Sequence, residues 1–399
     1  MKRIYFRLFG TCLLVGLLLN TVNAQSNNPT ADQLAGKDIS KNYISTAVPI
    51  LLIAPDARSG GMGDVGVAST PDVYSSHWNN AKYAFIKEDV GVGMSYVPWL
   101  KDLGVGDMNL LNLSGYKRIN SRSAIAASLT YFSLGSIEFT NEDGTSNGNH
   151  NPNEFGVDIS YSMKLSDDFS IGATGRYIRS DLTQGVDVGT STTHAGNAIA
   201  ADLGMYYQSE TDMLDMPGEL AAGLLISNLG SKINYSDDDN NKDFLPTNLR
   251  LGGRYTMNFD EYNTFSFLLD FNKLLVPTPP AYNEDGEIIA GLPDNVGTIQ
   301  GAIQSFYDAP NGMTEEFQEL QISVGAEYWY DNIFAVRGGY FFEHENKGGR
   351  QYLTLGGTIK YQTLVLDVSY LIPTTTLQTS PLANTVRISL AMNFENKKK

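Results

Sequence analysis

One glycine-rich stretch has the residue types and spacing of a nucleotide-binding loop. Residues 61–66 read Gly-Met-Gly-Asp-Val-Gly, the G-x-G-x-x-G pattern in which backbone amides hold a pyrophosphate. A helix must follow such a loop, yet Thr70 and Pro71 come soon after, and proline in a helix interior removes a hydrogen bond. The context therefore argues against a nucleotide site.

An acidic stretch, residues 237–243, has oxygen atoms at spacings similar to those of a calcium loop. Lys242 stands at the sixth position, where such a loop needs glycine, and Asn248 at the twelfth, where it needs glutamate. The pattern favours a solvated acidic loop. The four histidines lack the spacing of zinc ligands, and the chain has no G-x-S-x-G nucleophile motif. We therefore predict no metal, no cofactor and no enzymatic activity.

The N-terminus has the pattern of a secretory signal peptide. Basic residues precede the apolar run 13–19, and small residues end at Ala24. We assign residues 1–24 to the signal peptide and predict export. The one cysteine of the chain, Cys12, lies within this segment, so the exported part has neither disulfide nor thiolate chemistry.

The composition is typical of a membrane barrel. Charged residues make up 18% of the 399 residues, whereas the chain has 39 glycines, 22 tyrosines and 18 phenylalanines. Glycine and aromatic residues are abundant in barrels whose outer face is apolar and bordered by aromatic girdles. The formal net charge of −16 argues against a nucleic-acid partner, because phosphate contacts need lysine and arginine in excess.

Apolar and polar residues alternate in short segments over most of the chain. Leu320 and Ile322, for example, alternate with Gln321 and Ser323, and a period of two is typical of strands with one apolar face. About fourteen such segments lie near 87–97, 108–119, 122–134, 153–164, 168–180, 196–208, 219–228, 247–258, 263–272, 319–330, 333–343, 350–361, 363–371 and 384–394. Each has about ten residues, enough to cross a bilayer when tilted. We predict an all-β fold, an antiparallel transmembrane β-barrel of about fourteen strands over residues 87–394, surrounded by outer-membrane lipid.

The connections between these segments alternate in length. The tight ones are 120–121, 165–167, 259–262, 331–332 and 362, and the long, polar ones are 135–152, 181–195, 229–246 and 273–318. Outer-membrane barrels have short periplasmic turns and long extracellular loops. The alternation therefore predicts an outer-membrane location, with the long loops outside the cell.

Tight turns also indicate which residues face each other across a hairpin. Three of them place opposite charges of the polar faces together: Asp158 with Arg176, Arg250 with Asp270, and Glu327 with Arg337. A charge facing lipid at the midplane costs ~2–4 kcal/mol, so we expect these side chains to point into the lumen. We favour structural ion pairs over the alternative, a proton or ion relay.

The segment before the barrel, residues 54–86, is short and rich in glycine, and we predict that it plugs the lumen. Its marker residues are Asp56, Arg58, Gly60, Gly61, Gly63, Asp64, Gly66 and Asn79. We expect the three charged residues to lie inside the barrel and to pair with luminal charges. Residues 25–53 are predicted to form a periplasmic extension and residues 395–399 a basic tail.

One long connection, residues 273–318, has an uncharged and aromatic character. Its apolar stem contains Leu275, Val276, Pro277, Pro279 and Tyr282, and a short predicted helix within 296–307 presents Ile299, Ile303 and Phe306 on one face. Such a loop is either a protein-docking surface or a lid that packs over the barrel mouth, and the sequence supports both.

Residues 56–68 and 78–85 resemble the N-terminal signature of the PorV family, the outer-membrane barrels of the type IX secretion system in Bacteroidetes. They begin Asp-Ala-Arg-Ser-Gly-Gly-Met-Gly-Asp and Trp-Asn-Asn-Ala-Lys-Tyr. More distantly, this segment is similar to the hatch of FadL-type fatty-acid transporters, which has an Asn-Pro-Ala step where this chain has Asn79, Asn80 and Ala81.

The resemblance implies a non-enzymatic secretion component. Its implied partners are a SprA-type translocon, the C-terminal signal domains of cargo proteins, and a surface attachment complex with a PorU-type sortase. The barrel would take cargo at the translocon and shuttle it to that complex. The alternative is a FadL-like channel for the uptake of hydrophobic small molecules.

Overall fold

The computed structural model describes residues 41–99, 107–140, 144–186, 192–213, 216–238, 242–374 and 385–395. The predicted signal peptide 1–24, residues 25–40 of the predicted extension, residues 239–241 of the acidic stretch and residues 396–399 of the predicted tail lie outside the described residues.

In this part of the chain, fourteen antiparallel strands form a closed barrel, which confirms the predicted fold class. The strands are β1 (Val90–Pro98), β2 (Asn109–Arg118), β3 (Ser123–Ser133), β4 (Asn153–Lys164), β5 (Phe169–Asp181), β6 (Gly196–Met213), β7 (Met216–Gly230), β8 (Asn248–Asn258), β9 (Asn263–Leu274), β10 (Gln321–Tyr330), β11 (Phe334–Phe342), β12 (Gln351–Tyr361), β13 (Leu364–Pro373) and β14 (Val386–Phe394). Each strand pairs with its sequence neighbours, and β1 pairs with β14 to close the barrel.

The alternation of residues along each strand separates the two faces of the wall. In β4, Val157, Ile159 and Tyr161 are exposed on the outside, whereas Asp158 and Ser160 are buried inside. Apolar outward side chains face lipid without a desolvation cost, and polar side chains need partners in the lumen. Among the described residues, no helix is long and apolar enough to span a membrane.

The two ends of the barrel differ in their connections. Short turns join the strands at the inner end, where β1 also begins and β14 ends. The outer end has the long loops, with hairpins Ile137–Thr140 with Ser146–His150, Ile233–Asn234 with Lys242–Asp243, and Ala281–Tyr282 with Ile288–Ala290. By the rule for outer-membrane barrels, the inner end is periplasmic and the outer end extracellular.

Two of the three predicted charge pairings have the predicted register, and one is wrong. Asp158 pairs with Arg176 across β4 and β5, and Glu327 pairs with Arg337 across β10 and β11.

Arg250 faces Asn272, not Asp270, which instead faces Gly252. The Asp260 side chain accepts hydrogen bonds from the backbone amides of Tyr262 and Asn263, both at 2.8 Å. With these bonds the β8–β9 turn is centred on Glu261, one residue later than a pairing of Arg250 with Asp270 requires, so the residue opposite Arg250 moves by two positions.

The lumen is filled by the segment that precedes β1. Its regular elements are α1 (Ala57–Gly60), α2 (Ser75–Trp78) and a 3-10 helix (Asn80–Phe85). These helices are short, and side-chain caps support two of them: Asp56 accepts from Ser59 N, and Asn79 accepts from Ala81 N. The remaining helices lie outside the lumen segment and include α3 (Thr298–Gln304) and α4 (Met313–Gln318) in the loop between β9 and β10.

Residues 41–53 lie at the outer end, which corrects the predicted periplasmic extension for this part of residues 25–53. Ala47 N donates to Phe244 O at 2.9 Å, and Asn42 Nδ2 donates to Pro279 O at 2.9 Å. Both acceptors belong to outer loops. The run 47–53 is apolar, and Ala47, Val48, Ile50 and Leu51 are buried among inward side chains of the wall, which removes their apolar surface from water.

Glycines on the inner face of the wall let the plug backbone approach closely. A Cβ on Gly339 of β11 would clash with the backbone of Met62 and Gly63. Gly63 itself has a φ of 70°, and a Cβ there would lie 2.6 Å from Tyr340 N. The neighbouring Gly338 faces outward, where the nearest atom to a Cβ is at 3.8 Å, an ordinary contact. The plug backbone can therefore pack directly against the wall only because glycine has no side chain at these positions.

The adjacent glycines provide a matched pair of variants. We expect Gly339→Ala to displace the plug and to destabilise the protein by about 1–3 kcal/mol, the usual cost of overpacking. Gly338→Ala should have little effect. The temperature at which the compact gel mobility of the folded barrel is lost measures the difference, and equal temperatures for both variants would contradict close packing of the plug on Gly339.

Candidate functional site

A chain of alternating charges joins the plug to the wall near the inner end. Arg58 lies 2.9 Å from Asp72 and makes a two-pronged contact with Glu327, Nη2 to Oε1 at 3.0 Å and Nε to Oε2 at 3.1 Å. Arg337 binds Glu327 at 2.5 Å and Asp367 at 2.9 Å. All five side chains are buried or nearly so. Burial makes each partner necessary, because an unpaired buried charge is costly.

A second plug-to-wall contact involves Asp64. Its Oδ1 accepts from Arg387 Nη1 of β14 at 2.8 Å, and its Oδ2 accepts from the Tyr352 hydroxyl of β12 at 2.5 Å. Asp56 behaves differently, since both its oxygens accept from within the plug, from Ser59 N at 2.8 Å and Trp78 Nε1 at 2.6 Å. Of the three plug charges, two therefore contact luminal charges and one shapes the plug itself.

Asp270 of β9 holds the plug backbone. Its Oδ2 accepts from Gly66 N at 2.7 Å and Val67 N at 2.9 Å. Its predicted partner Arg250 forms no ion pair with a described carboxylate and instead lies over the Trp78 ring, 5.1 Å from the ring centroid. The predicted pairing of Arg250 with Asp270 is therefore wrong, and each of the two residues contacts the plug separately.

Arg176 is the centre of a third cluster. It binds Asp158 at 2.6 Å and Asp202 at 3.0 Å, and its Nη1 donates to Asn228 Oδ1. All of these groups are buried. A relay would need a group able to exchange protons with water, whereas this arginine is held on several sides by acceptors. The geometry favours the structural interpretation.

The Asn79–Asn80 step is fixed by side-chain hydrogen bonds. Asn79 Nδ2 donates to Val67 O at 3.1 Å and to Met205 O of β6 at 2.9 Å. Asn80, which stands where the FadL-type step has proline, donates to Thr174 Oγ1 of β5 at 2.7 Å. Hydrogen bonds to the wall therefore hold the turn that proline would stiffen.

A network of buried charges forms the base of the loop between β9 and β10. Lys273 binds Glu316 at 2.9 Å and Glu319 at 2.5 Å, and Lys347 binds Glu319 at 3.0 Å and Glu315 at 2.6 Å. Lys347 lies in the loop between β11 and β12, so this network, which we call the loop base, joins two outer loops.

Asp308 completes the loop base. Its Oδ2 accepts from Thr278 N at 3.3 Å, and its Oδ1 has no hydrogen-bond partner among the described residues. Burial, together with the neighbouring carboxylates of Glu316 and Glu319, raises the pKa of Asp308 to about 7.

The loop above this base has a buried side and an exposed side. Leu275, Val276 and Pro277 are buried, and Pro279 is half-buried. The exposed apolar side chains, which we call the loop surface, are Tyr282, Ile299, Ile303, Phe306, Tyr307, Met313 and Phe317. The predicted docking set thus divides: its stem packs inward as a lid would, and Tyr282, Ile299, Ile303 and Phe306 are available to a partner.

Several residues that matter here were not predicted from the sequence. Asp202, Asp367 and Arg387 occupy inward positions of alternating strands, so their polar-face charge was a usable signal. The loop base had none, because Lys273 and Glu319 come together only through the folded loop. Within the described residues, no group of three or more histidine, cysteine or acidic side chains is arranged to hold a metal.

A closed wall, a lipid-compatible outer face and a bonded luminal segment define an outer-membrane β-barrel that carries a plug. The sequence also identifies the family of this barrel. The family model described as "Type IX secretion system protein PorV" matches residues 36–281, and the chain belongs to this family. It is thus an outer-membrane protein of a type IX secretion family, as predicted.

Solved structures are similar to this chain at low identity. A mutant of the monoaromatic hydrocarbon channel TodX is 14% identical, with a TM-score of 0.50 over 85% of this chain and 99% of that chain. The Ralstonia pickettii toluene transporter TbuX is 14% identical, with a TM-score of 0.48 and coverages of 86% and 98%. A Pseudomonas aeruginosa FadL homologue is 12% identical, with a TM-score of 0.43 and coverages of 89% and 100%. A comparison with curated proteins found no match.

Replacing Arg58 should show how much more a buried ion pair contributes to the free energy of unfolding than an exposed one. We expect Arg58→Met to lower the free energy of unfolding by about 3–5 kcal/mol, because it leaves Asp72 without its ion pair and Glu327 with Arg337 alone. Arg118→Met is the control: Arg118 is 35% exposed and pairs with Asp89 at 2.9 Å, and its loss should cost less than about 1 kcal/mol. Urea unfolding in lipid vesicles measures both, and similar losses would contradict the buried-network account.

The raised pKa of Asp308 predicts that the loop base is pH-dependent. Because the pKa in the folded protein lies above the ordinary value of 3.8, this group's stabilising contribution is present at low pH and is lost as pH rises through about 7. Protection of the β9–β10 loop from protease should therefore fall between about pH 4 and pH 7 and stay level above about pH 7. Asp308→Asn should remove this change, and an unaltered pH profile in that variant would contradict the assignment.

Proposed function

We propose that this protein is the cargo-binding shuttle of type IX secretion: it takes the C-terminal signal domain of a cargo protein at a SprA-type translocon and passes it to a surface attachment complex with a PorU-type sortase. Family membership supports the secretion role. The observation that carries the shuttle is the loop surface, an exposed apolar region at the extracellular end.

The arrangement of the loop surface suits protein docking. Ile299 and Ile303 lie one turn apart on α3 and are 60% and 61% exposed, while Met313 and Phe317 have the same spacing on α4. Large apolar side chains this exposed are typical of binding surfaces. The loop base keeps them in place, which lowers the entropy cost of binding.

The helix α3 is held in a defined orientation on the stem. At Gly301 a Cβ would lie 2.9 Å from Pro277 Cγ and 3.1 Å from Phe244 Cε1, so the buried face of the helix packs closely on the proline-rich stem. The opposite face carries Ile299 and Ile303. A rigid apolar face of this kind would bind an apolar face of a folded domain rather than an extended charged peptide.

The second candidate function is a FadL-like uptake channel for hydrophobic small molecules. It is favoured by an outer cavity of about 830 Å³ that is lined largely by apolar side chains. Uptake would require passage beyond the plug, which Arg58, Asp64 and Asp270 fix to the wall. Purification in mild detergent separates the two: a co-purifying translocon or sortase complex supports the shuttle, and a lone barrel carrying lipid supports the channel.

The loop surface provides a direct test of the shuttle. We expect the double variant Ile299→Ser, Ile303→Ser to reduce the surface display of cargo at least about tenfold, because about 1.5–3 kcal/mol of apolar contact is lost per side chain. Cell-surface labelling of cargo that carries a C-terminal signal domain, in a strain lacking the wild-type gene, measures this.

Gln300→Ser is the matched control, since Gln300 is exposed on the same helix and polar. It should leave display unchanged. Normal display with the double variant, at equal amounts of barrel in the outer membrane, would exclude α3 as the cargo contact. Normal display in the gene deletion itself would exclude the shuttle role.

A further inference from the structure

The outer cavity lies between residues 43–53 and the inward face of the wall. Its volume is about 830 Å³, within the range of small-molecule sites. Residues 43–53 form one side, and Trp99, Phe132 and Leu134 are among the apolar side chains of the other. Trp99 and Phe132 pack edge to face, with ring centroids 6.1 Å apart.

A single carboxyl group lies in this apolar surrounding. Glu154, an inward residue of β4 opposite Phe132, is 3% exposed and lines the cavity. Its Oε1 accepts from the Ser180 hydroxyl at 2.6 Å, and Ser180 in turn accepts from the Tyr235 hydroxyl at 3.0 Å. No described basic side chain forms an ion pair with Glu154.

The basic side chains that line the cavity already have carboxylate partners. Arg350 binds Glu343 at 2.7 Å, and Lys347 binds Glu319 at 3.0 Å. Among the described lining residues, these are the two cations. The charge that the cavity offers to a ligand is therefore negative.

We propose that the outer cavity binds an apolar molecule or segment that carries a cationic head group, an ammonium or guanidinium, with Glu154 as the residue that recognises this head. A buried carboxyl without a cation is costly, and a ligand cation would supply the missing charge. The serine and tyrosine hydroxyls leave the second carboxyl oxygen of Glu154 for this contact. A fatty-acid anion would gain no such contact, so we expect it to bind less tightly than the amine.

This inference does not depend on the secretion role, because it concerns binding to the purified barrel. Two sources share the chemistry: a free alkylamine-like amphiphile, and a basic side chain flanked by apolar residues on a protein.

The test uses the full chain in lipid nanodiscs and the fluorescence of Trp99. A bromine-tagged alkylamine and the bromine-tagged fatty acid of equal chain length are titrated, since bromine quenches tryptophan on contact. We expect the amine to bind at least about tenfold more tightly than the acid, and Glu154→Gln, which keeps the acceptor for Ser180, to abolish that preference.

Three controls make the result decisive. Trp99→Phe should remove the quenching, and empty nanodiscs should show no saturable signal. Asp243→Asn changes an exposed acid at the cavity rim and should keep the preference for the amine. The proposal is overturned if the acid binds as tightly as the amine, if the preference survives Glu154→Gln, or if neither probe saturates. A soluble apolar peptide with one lysine then assigns the source: displacement of the amine indicates a protein side chain, and its absence a free amphiphile.

Discussion

The contact of Arg58 with Glu327 is the interaction on which the rest of the structure depends. Arg58 comes from the plug and Glu327 from β10, and the pair continues to Asp72 on one side and to Arg337 and Asp367 on the other. These side chains are buried or nearly so, and a buried charge needs a fixed partner. Within this chain of charges the wall has one cation, Arg337, for the two carboxylates of Glu327 and Asp367, and Arg58 of the plug supplies the second.

The wall has an outer face toward lipid and an inner face toward the plug, and the alternation of side chains along each strand suits both. Outward residues such as Ile159 and Ile199, 70% and 68% exposed, face the lipid. Inward residues meet the plug through charges, hydroxyls and bare glycine backbone. The proposed docking surface lies at the outer end, where two loops share the loop base and the apolar side chains above it are exposed.

The strands and most tight turns followed from local patterns, because a period of two and a turn sequence are properties of neighbouring residues. The predicted β8–β9 register was wrong because the Asp260 side chain binds backbone amides of the turn. The alternation of residues along the two strands carries no information about that contact. The periplasmic location predicted for residues 41–53 was wrong because their position depends on the burial of apolar side chains against strands distant in sequence. The plug was recognisable from its glycines and charges, but not which wall residue each one meets.

The plug contacts that join the start of the chain to its end have a consequence for assembly. Ala57 N donates to Ser389 Oγ at 2.8 Å, a contact between residues 332 positions apart, and Asp64 meets Arg387 across 323 positions. Contacts so distant in sequence form late, because the chain entropy lost in closing the loop precedes any gain. The plug precedes every strand in synthesis, yet its final position requires the last one. We therefore expect the seam between β1 and β14 to close and the plug to reach its final position in the same step of folding.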